Sequence, residues 1–434
     1  MTSASAAVYV HYMANIVAWP EGVVPGSAGQ LLQLIREDLA VTRPRLVEYT
    51  GVSRSVISQR IDALLDTGLI VEDGASASTG GRPAARVRFN HDAGRVLVAD
   101  LGATHGRVAV TDLAGTVLAE EPADRSIADG PGVVLDWLQS RFEALLDIVG
   151  RDRPLWGIGI GVPGPVEHAA GRAVSPPIMP GWDGYPIPEH LSEYGVPVLV
   201  DNDVNIMALG EYWANWRHSV DDLLFIKVGT GIGCGIVVSG RLHRGAQGAA
   251  GDIGHVRVHG YDEAICTCGN TGCVEAVASG QAVADRLAAA GYDTPDARAV
   301  VRQVQAGDSE ATRAVREAGR VLGQVIASAV NFFNPSVIVV GGDVANAREQ
   351  LLAGVREVVY QRSLPLATRH LRLVPAQLGD GAGVRGASVM VVERILAPAA
   401  VDELVERAAH DRGSTPGAVP PGMTDNPEMI QQGR

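Results

Sequence analysis

The densest run of reactive side chains is His255 followed by Cys266-Thr267-Cys268-Gly269-Asn270-Thr271-Gly272-Cys273. Three thiolates and one imidazole complete a tetrahedral zinc shell, and because the protein fills every position, such an ion is structural. A redox pair is the competing reading, but Cys-x-Cys is not the usual Cys-x-x-Cys spacing and no third cysteine would be needed. The work expected of Zn2+ held by His255, Cys266, Cys268 and Cys273 is to order the loop that carries Gly251-Asp252-Ile253-Gly254-His255 and Glu275 around a ligand.

A second constellation is Val200-Asp201-Asn202-Asp203-Val204-Asn205, which places polar residues at the end of an apolar strand and ahead of a helical segment. Such a position commonly faces a ligand crevice. Asp203 could take a proton from a sugar hydroxyl attacking a phosphoryl group while Asn202 fixes the sugar, and the alternative is helix capping by both residues. Two Gly/Thr turns follow apolar strands, Asp100-Leu101-Gly102-Ala103-Thr104 and Lys227-Val228-Gly229-Thr230-Gly231-Ile232-Gly233. Backbone N–H groups in such turns can approach phosphate, so the pair suggests a nucleotide clamp; tight β-turns that need glycine sterically are the alternative.

The elements that must position these residues fall into two parts. At 434 residues the chain suits two or three domains, and 46% hydrophobic with 20% charged residues fits a soluble α/β protein. Net charge is −13, and Lys227 is the only lysine. The whole chain is therefore no indiscriminate nucleic-acid binder, yet Ser27 to Arg95 carries nine arginines against eight acidic residues and stands near neutral on an acidic body. Within that head, Leu31, Leu32, Ile35 and Leu39 recur at helical spacing. Thr42, Pro44, Gly51 and Ser53 then punctuate two more short helices in a helix-turn-helix cadence. Val56, Ile57, Ile61, Leu64 and Leu65 give the third helix a buried face, leaving Arg54, Ser55, Ser58, Gln59 and Arg60 to meet DNA. Leu69 to Val71 and Arg86 to Phe89 read as wing strands around a Gly/Ser-rich tip whose Arg82 suits a minor groove or a phosphate. A small helical protein-interaction module is the bland alternative.

From Arg95 onward apolar strands alternate with helices, including Val96 to Asp100, Arg107 to Thr111, Gly157 to Gly164, Phe225 to Val238 and Val337 to Gly342, which implies α/β architecture. Few, clustered cysteines point to a reducing compartment, the cytoplasm. The apolar stretch Ala6 to Trp19 has no basic residue before it and is shorter than a bilayer span, so neither secretion nor membrane insertion is expected.

Taken together, these pieces resemble the ROK (repressor, ORF, kinase) family across nearly the whole chain. The matching segments are Asp100 to Thr104, Gly159 to Val166, Asn202 to Asn205, the Gly-Thr-Gly-Ile-Gly loop, the cysteine cluster and Val337 to Gly342. The resemblance implies a winged helix-turn-helix followed by a two-lobed actin-like ATPase (ROK sugar-kinase) fold. Residues 27–90 would form the DNA-binding domain, 91–203 lobe 1 completed by 380–398, and 204–379 lobe 2 with the zinc motif. Residues 1–26 receive no role, and 408–434 read as a disordered tail.

It further implies that Asn202, Asp203, Asp252, His255 and Glu275 bind a sugar, Asp203 being the catalytic base in kinase members. Asp100, Gly102, Thr104, Gly229, Thr230, Gly231, Gly233, Gly341 and Gly342 would face Mg-ATP. The family's Asp-x-Gly-Gly-Thr-Lys pattern here reads Asp100-Leu101-Gly102-Ala103-Thr104-His105, placing a methyl where phosphate must come close, and Asp252 stands for a glutamate. The expected function is a sugar-responsive repressor of carbohydrate genes, a homodimer or homotetramer reading an inverted repeat in double-stranded DNA. The alternative is an ATP-dependent sugar kinase carrying a DNA-binding head, and the lowest-ranked reading is a DNA-binding protein with a vestigial pocket.

Overall fold

The computed structural model describes residues 24–75, 85–103, 105–347 and 349–414. Arg82 in the wing tip and Thr104 in the first glycine turn lie outside the described residues. The described residues divide into two compact units, one of residues 24–93 and 393–414, the other of Gly94–Val392.

In the smaller unit, Ser27 caps α1 (Ala28–Arg36) by accepting from the Gln30 amide, and Leu31, Leu32, Leu34 and Ile35 are buried. The helix ends before Leu39, so Leu34 takes the core place that periodicity assigns to Leu39. α2 (Arg43–Thr50) begins at Thr42 without a side-chain cap bond and ends at Gly51, whose φ of 69° is a left-handed conformation that glycine adopts without strain. α3 (Arg54–Asp66) buries Ile57, Ile61 and Leu64. Val56, expected in that stripe, is 37% exposed, because at 100° per residue it lies to one side of the 57/61/64 line. β1 (Ile70–Ala75) and β2 (Ala85–Phe89) pair antiparallel, with Ile70 opposite Phe89.

Sequence reasoning missed the partner of α1. The helix Pro398–Ser414 packs on it, burying Val401 and Val405, and extends into the segment read as tail from residue 408. The Gly29 amide donates to Asp402 Oδ1 at 2.8 Å, Gln33 Nε2 donates to the Leu396 carbonyl at 2.9 Å, and Arg36 pairs with Glu393 at 2.7 Å. A Cβ on Gly29 would stand 2.1 Å from the Pro398 carbonyl oxygen, so only glycine permits this approach.

The larger unit contains two five-stranded sheets. β3 (Arg95–Leu101), β4 (Gly106–Asp112) and β5 (Val117–Ala123) form an antiparallel meander, and α4 (Pro131–Val149) leads to β6 (Leu155–Val162), parallel to β3. A short ribbon of β7 (Val166–Glu167) and β8 (Arg172–Ala173) precedes β9 (Val198–Asn202), parallel to β6, giving the order β5-β4-β3-β6-β9. After α5 (Asp203–Asn215) the pattern repeats with β10 (Leu223–Val228), β11 (Ile232–Val238), β12 (Arg241–Leu242), β13 (Val337–Gly341) and β14 (Arg372–Pro375), ordered β12-β11-β10-β13-β14. Phe225 to Val238 is thus two antiparallel strands instead of one, because Gly229-Thr230-Gly231 closes a hairpin that pairs Val228 with Ile232.

Each sheet is covered by helices. β3 is buried almost throughout because α4 packs Leu138 and Phe142 on one face, while α8 (Ala382–Ile395), which follows α6 (Ser309–Phe333) and α7 (Glu349–Arg362), comes close to Gly157 and Gly159 of β6 through Ala387 and Val391. Such burial on both faces explains the continuous apolar strands. Replacing Gly29 by alanine should cost about 1–3 kcal/mol of stability in the smaller unit. The check is hydrogen exchange in Pro398–Ser414, which should speed up together with a lower melting temperature; unchanged exchange would refute the packing argument.

Candidate functional site

Parallel strands end together, and their last residues face a common cavity of about 970 Å³ in the larger unit. Register places Asp100 beside Gly161 and Gly161 beside Asp201, so β3, β6 and β9 deliver their carboxyl ends side by side. Asp100, Gly102, Asn202, Asp203, Gly229, Thr230, Gly231, Gly233, Asp252, His255, Glu275, Gly341 and Gly342 all line this cavity.

The turn from β9 into α5 is braced from below. Asp201, buried, accepts from the Asn202 amide and from Asn205 Nδ2, both at 2.8 Å, and from Arg244 Nε at 2.7 Å. Asn202 caps α5, its Oδ1 accepting from the Val204 and Asn205 amides while its Nδ2 donates to the Gly164 carbonyl at 2.8 Å. The capping role is therefore real, and one amide proton of Asn202 remains for a ligand. Asp203, in the first turn of α5, is buried and holds the Lys227 ammonium at 2.5 Å.

Glu275 sits in the first turn of the short helix Val274–Ala278, and its Oε2 accepts from the Ile232 amide at 2.8 Å. A Cβ on Gly231 would stand 2.5 Å from that oxygen. Gly231 thus lacks a side chain in order to admit a carboxylate. Across the cavity, Asp343 accepts from Arg298 Nε at 3.0 Å and lies 3.8 Å from His105 Nε2. Glu211, buried in α5, accepts from the Gln377 and Leu378 amides and so ties down a loop that reaches the cavity.

His255, Cys266, Cys268 and Cys273 bring their donor atoms within 4.8 Å of one another and could hold a metal ion. His255 points Nδ1 at the Cys266 sulfur at 3.6 Å, and its Nε2 lies 3.8 Å from Asp252 Oδ1, so one ring joins the cluster to the cavity. Hydrogen bonds from Asn270, first of all from its backbone, bring the Cys268 thiol down to about 7.

On the smaller unit, Arg54, Ser55 and Gln59 are exposed at the start of α3, and Ser58 and Arg60 are partly covered. Lys227, Arg244, Arg298, Glu211 and Asp343 are the residues that sequence reasoning passed over. Only Lys227 carried a signal, as the single lysine among arginines.

Burial pushes the Asp100 carboxyl up to about 7, against a weaker downward pull from Lys227. Its ordinary value is 3.8, so between about pH 4 and 7 the folded protein keeps a proton that the unfolded chain releases, and stability falls as pH rises through that window. Asp100→Asn abolishes the titration. Its melting temperature relative to the parent should therefore be more favourable at about pH 8 than at about pH 5, and an equal difference at both would contradict the assignment.

Residues 96–394 match the ROK family. The chain is 30% identical over 383 residues to the xylose repressor of Caldicellulosiruptor bescii, covering 84% of this chain and 95% of that protein. Among solved structures it is similar to a ROK family transcriptional regulator, a homologue of the E. coli MLC protein, with a TM-score of 0.76, 27% identity and coverage of 87% and 98%. A ROK family glucokinase from Streptomyces griseus, solved with glucose and AMPPNP, matches 68% of this chain and 99% of its own with a TM-score of 0.60 and 29% identity. The duplicated sheets, the cavity at their strand ends and these matches agree: the chain belongs to the ROK family.

Proposed function

We propose that this protein is a sugar-responsive DNA-binding repressor of carbohydrate-related genes. The observation that carries the reading is the combination in one chain of a helix-turn-helix unit with a cavity lined by Asn202, Asp203, Asp252, His255 and Glu275. Carboxylates, an amide and an imidazole are the groups that hydrogen-bond a polyol, whereas an apolar effector would meet an apolar wall. The repressor names of relatives that span both parts support it.

In this reading Arg54, Ser55, Ser58, Gln59 and Arg60 meet base edges and phosphates, Arg82 contacts the backbone or minor groove, and a homodimer or homotetramer reads an inverted repeat. Sugar binding shifts the population that fits the operator. The cysteine cluster holds zinc. A tetrahedral ion with Zn–S bonds near 2.3 Å separates two sulfurs by about 3.8 Å and a sulfur from an imidazole nitrogen by about 3.6 Å. Cys268 and Cys273 stand 3.8 Å apart, and Cys266 lies 3.6 Å from His255 Nδ1. Zinc there would fix His255 through Nδ1 and leave Nε2 for a sugar hydroxyl.

A second reading, an ATP-dependent sugar kinase with a DNA-binding head, draws on Asp203 and the paired glycine turns, which would face Mg-ATP through Asp100, Gly102, Thr104 and Gly229 to Gly233, with Gly341 and Gly342. ADP release from Mg-ATP over a panel of hexoses, amino sugars and pentoses separates the two: the regulator reading expects no release above that of Asp203→Asn, together with operator binding that one sugar weakens. Undiminished operator binding across the panel would sink the sensor. Arg54→Ala and Gln59→Ala should each lower the preference for operator over random DNA by about 1–3 kcal/mol, measured by competition anisotropy, whereas Arg82→Ala should weaken both alike. Cys268→Ser should lower metal content and sugar affinity together; a metal-free variant that binds sugar normally would break that coupling.

A further inference from the structure

Lys227 lies on β10 with glycine on both sides in register, Gly233 on β11 and Gly341 on β13. The neighbouring strands thus offer no side chain to crowd its stem, which rises to the Asp203 carboxylate, Nζ standing 2.5 Å from Oδ2. Three carboxylates act on this ammonium from three elements: Asp203 from α5, Asp100 from the end of β3, and Asp343 after β13. Burial alone would drive the lysine toward neutrality, and the carboxylates more than offset it, so it stays charged.

A carboxylate that serves as a base must give up its charge to the incoming proton. An ammonium in direct contact opposes this, and it also occupies one of the two oxygens. Phosphoryl transfer next to Asp100, Asp203 and Asp343 needs a divalent cation to balance phosphate charge, and an ammonium supplies one charge and cannot chelate. Hydrogen bonding to a neutral hydroxyl has no such requirement.

We propose that Lys227 is the resident cation of the cleft, a specificity-determining residue that holds Asp203 as a hydrogen-bond acceptor for an unphosphorylated sugar and disfavours its use as the base of phosphoryl transfer. The proposal rests on the sugar-sensing reading above.

As the only lysine, Lys227 can be observed alone. Reductive dimethylation of the full-length protein with 13C-formaldehyde labels its ammonium and the chemically distinct N-terminus, and a pH titration by NMR follows the side-chain signal. The expected midpoint lies above the ordinary lysine value and drops by about one unit or more in Asp203→Asn; the same midpoint in both proteins overturns the ion pair. In parallel, calorimetry with D-xylose, D-glucose, N-acetylglucosamine and glucose 6-phosphate compares the parent with Lys227→Met. The expected ligand is a neutral sugar whose affinity falls about tenfold or more in Lys227→Met, as loss of a charge-assisted contact requires. Tighter binding of glucose 6-phosphate than of glucose, lost in Lys227→Met, would make Lys227 a phosphate anchor and overturn the proposal. A panel in which no sugar binds overturns the sensor reading and the acceptor role together, and the lysine titration still decides the ion pair by itself.

Discussion

One ammonium held among carboxylates is the constraint on which the cleft depends. The fold sends parallel strand ends to a single place, and three of the residues delivered there or just beyond, Asp100, Asp203 and Asp343, are acids. Removing each from water costs several kcal/mol when unpaired, and their mutual repulsion adds to that. Lys227 offsets part of this by holding Asp203 directly, while Arg298 holds Asp343. Asp100, furthest from full compensation, shows the residue of the conflict in a carboxyl that titrates near 7.

The two sheets repeat one topology, three antiparallel strands followed by two parallel ones, and each repeat places a tight glycine turn after its first strand. The repeats have diverged in what the turn admits. Gly102 closes back on His105, its amide donating to the His105 carbonyl, while Gly231 opens space for Glu275. Between β12 and the helix that carries Glu275 lie about thirty residues with little regular structure, longer than connections in compact domains usually run. The His/Cys cluster sits inside that excursion, which is held by turn and bridge hydrogen bonds such as those from the Val258 amide to Gly272 and from the Cys266 amide to Asn270.

Periodicity and punctuation made most of the elements readable, because apolar strands buried on both faces and a helix ended by Gly51 declare themselves locally. The candidate site was readable where residue types are chemically unusual together, as in the cysteine cluster and the Asn202-Asp203 turn. Long-range partners were not readable. Nothing near Asp201 in the sequence announces Arg244, nothing near Glu211 announces the Gln377 and Leu378 amides, and the rarity of Lys227 does not say which carboxylate it meets. The turn at Gly229 to Gly231 is readable from its glycines, but that the strands on either side of it pair with each other is not, and only pairing geometry reveals the reversal.

The contact between Gly29 and Asp402 joins residues 373 positions apart. A ribosome adding roughly 5–20 residues per second needs about twenty seconds to just over a minute to cover that distance. During that interval α1 has emerged, but the helix it packs against does not yet exist. The smaller unit is therefore completed only by a segment made hundreds of residues later, so a nascent chain that already holds α1, α2 and α3 lacks the surface that steadies its first helix.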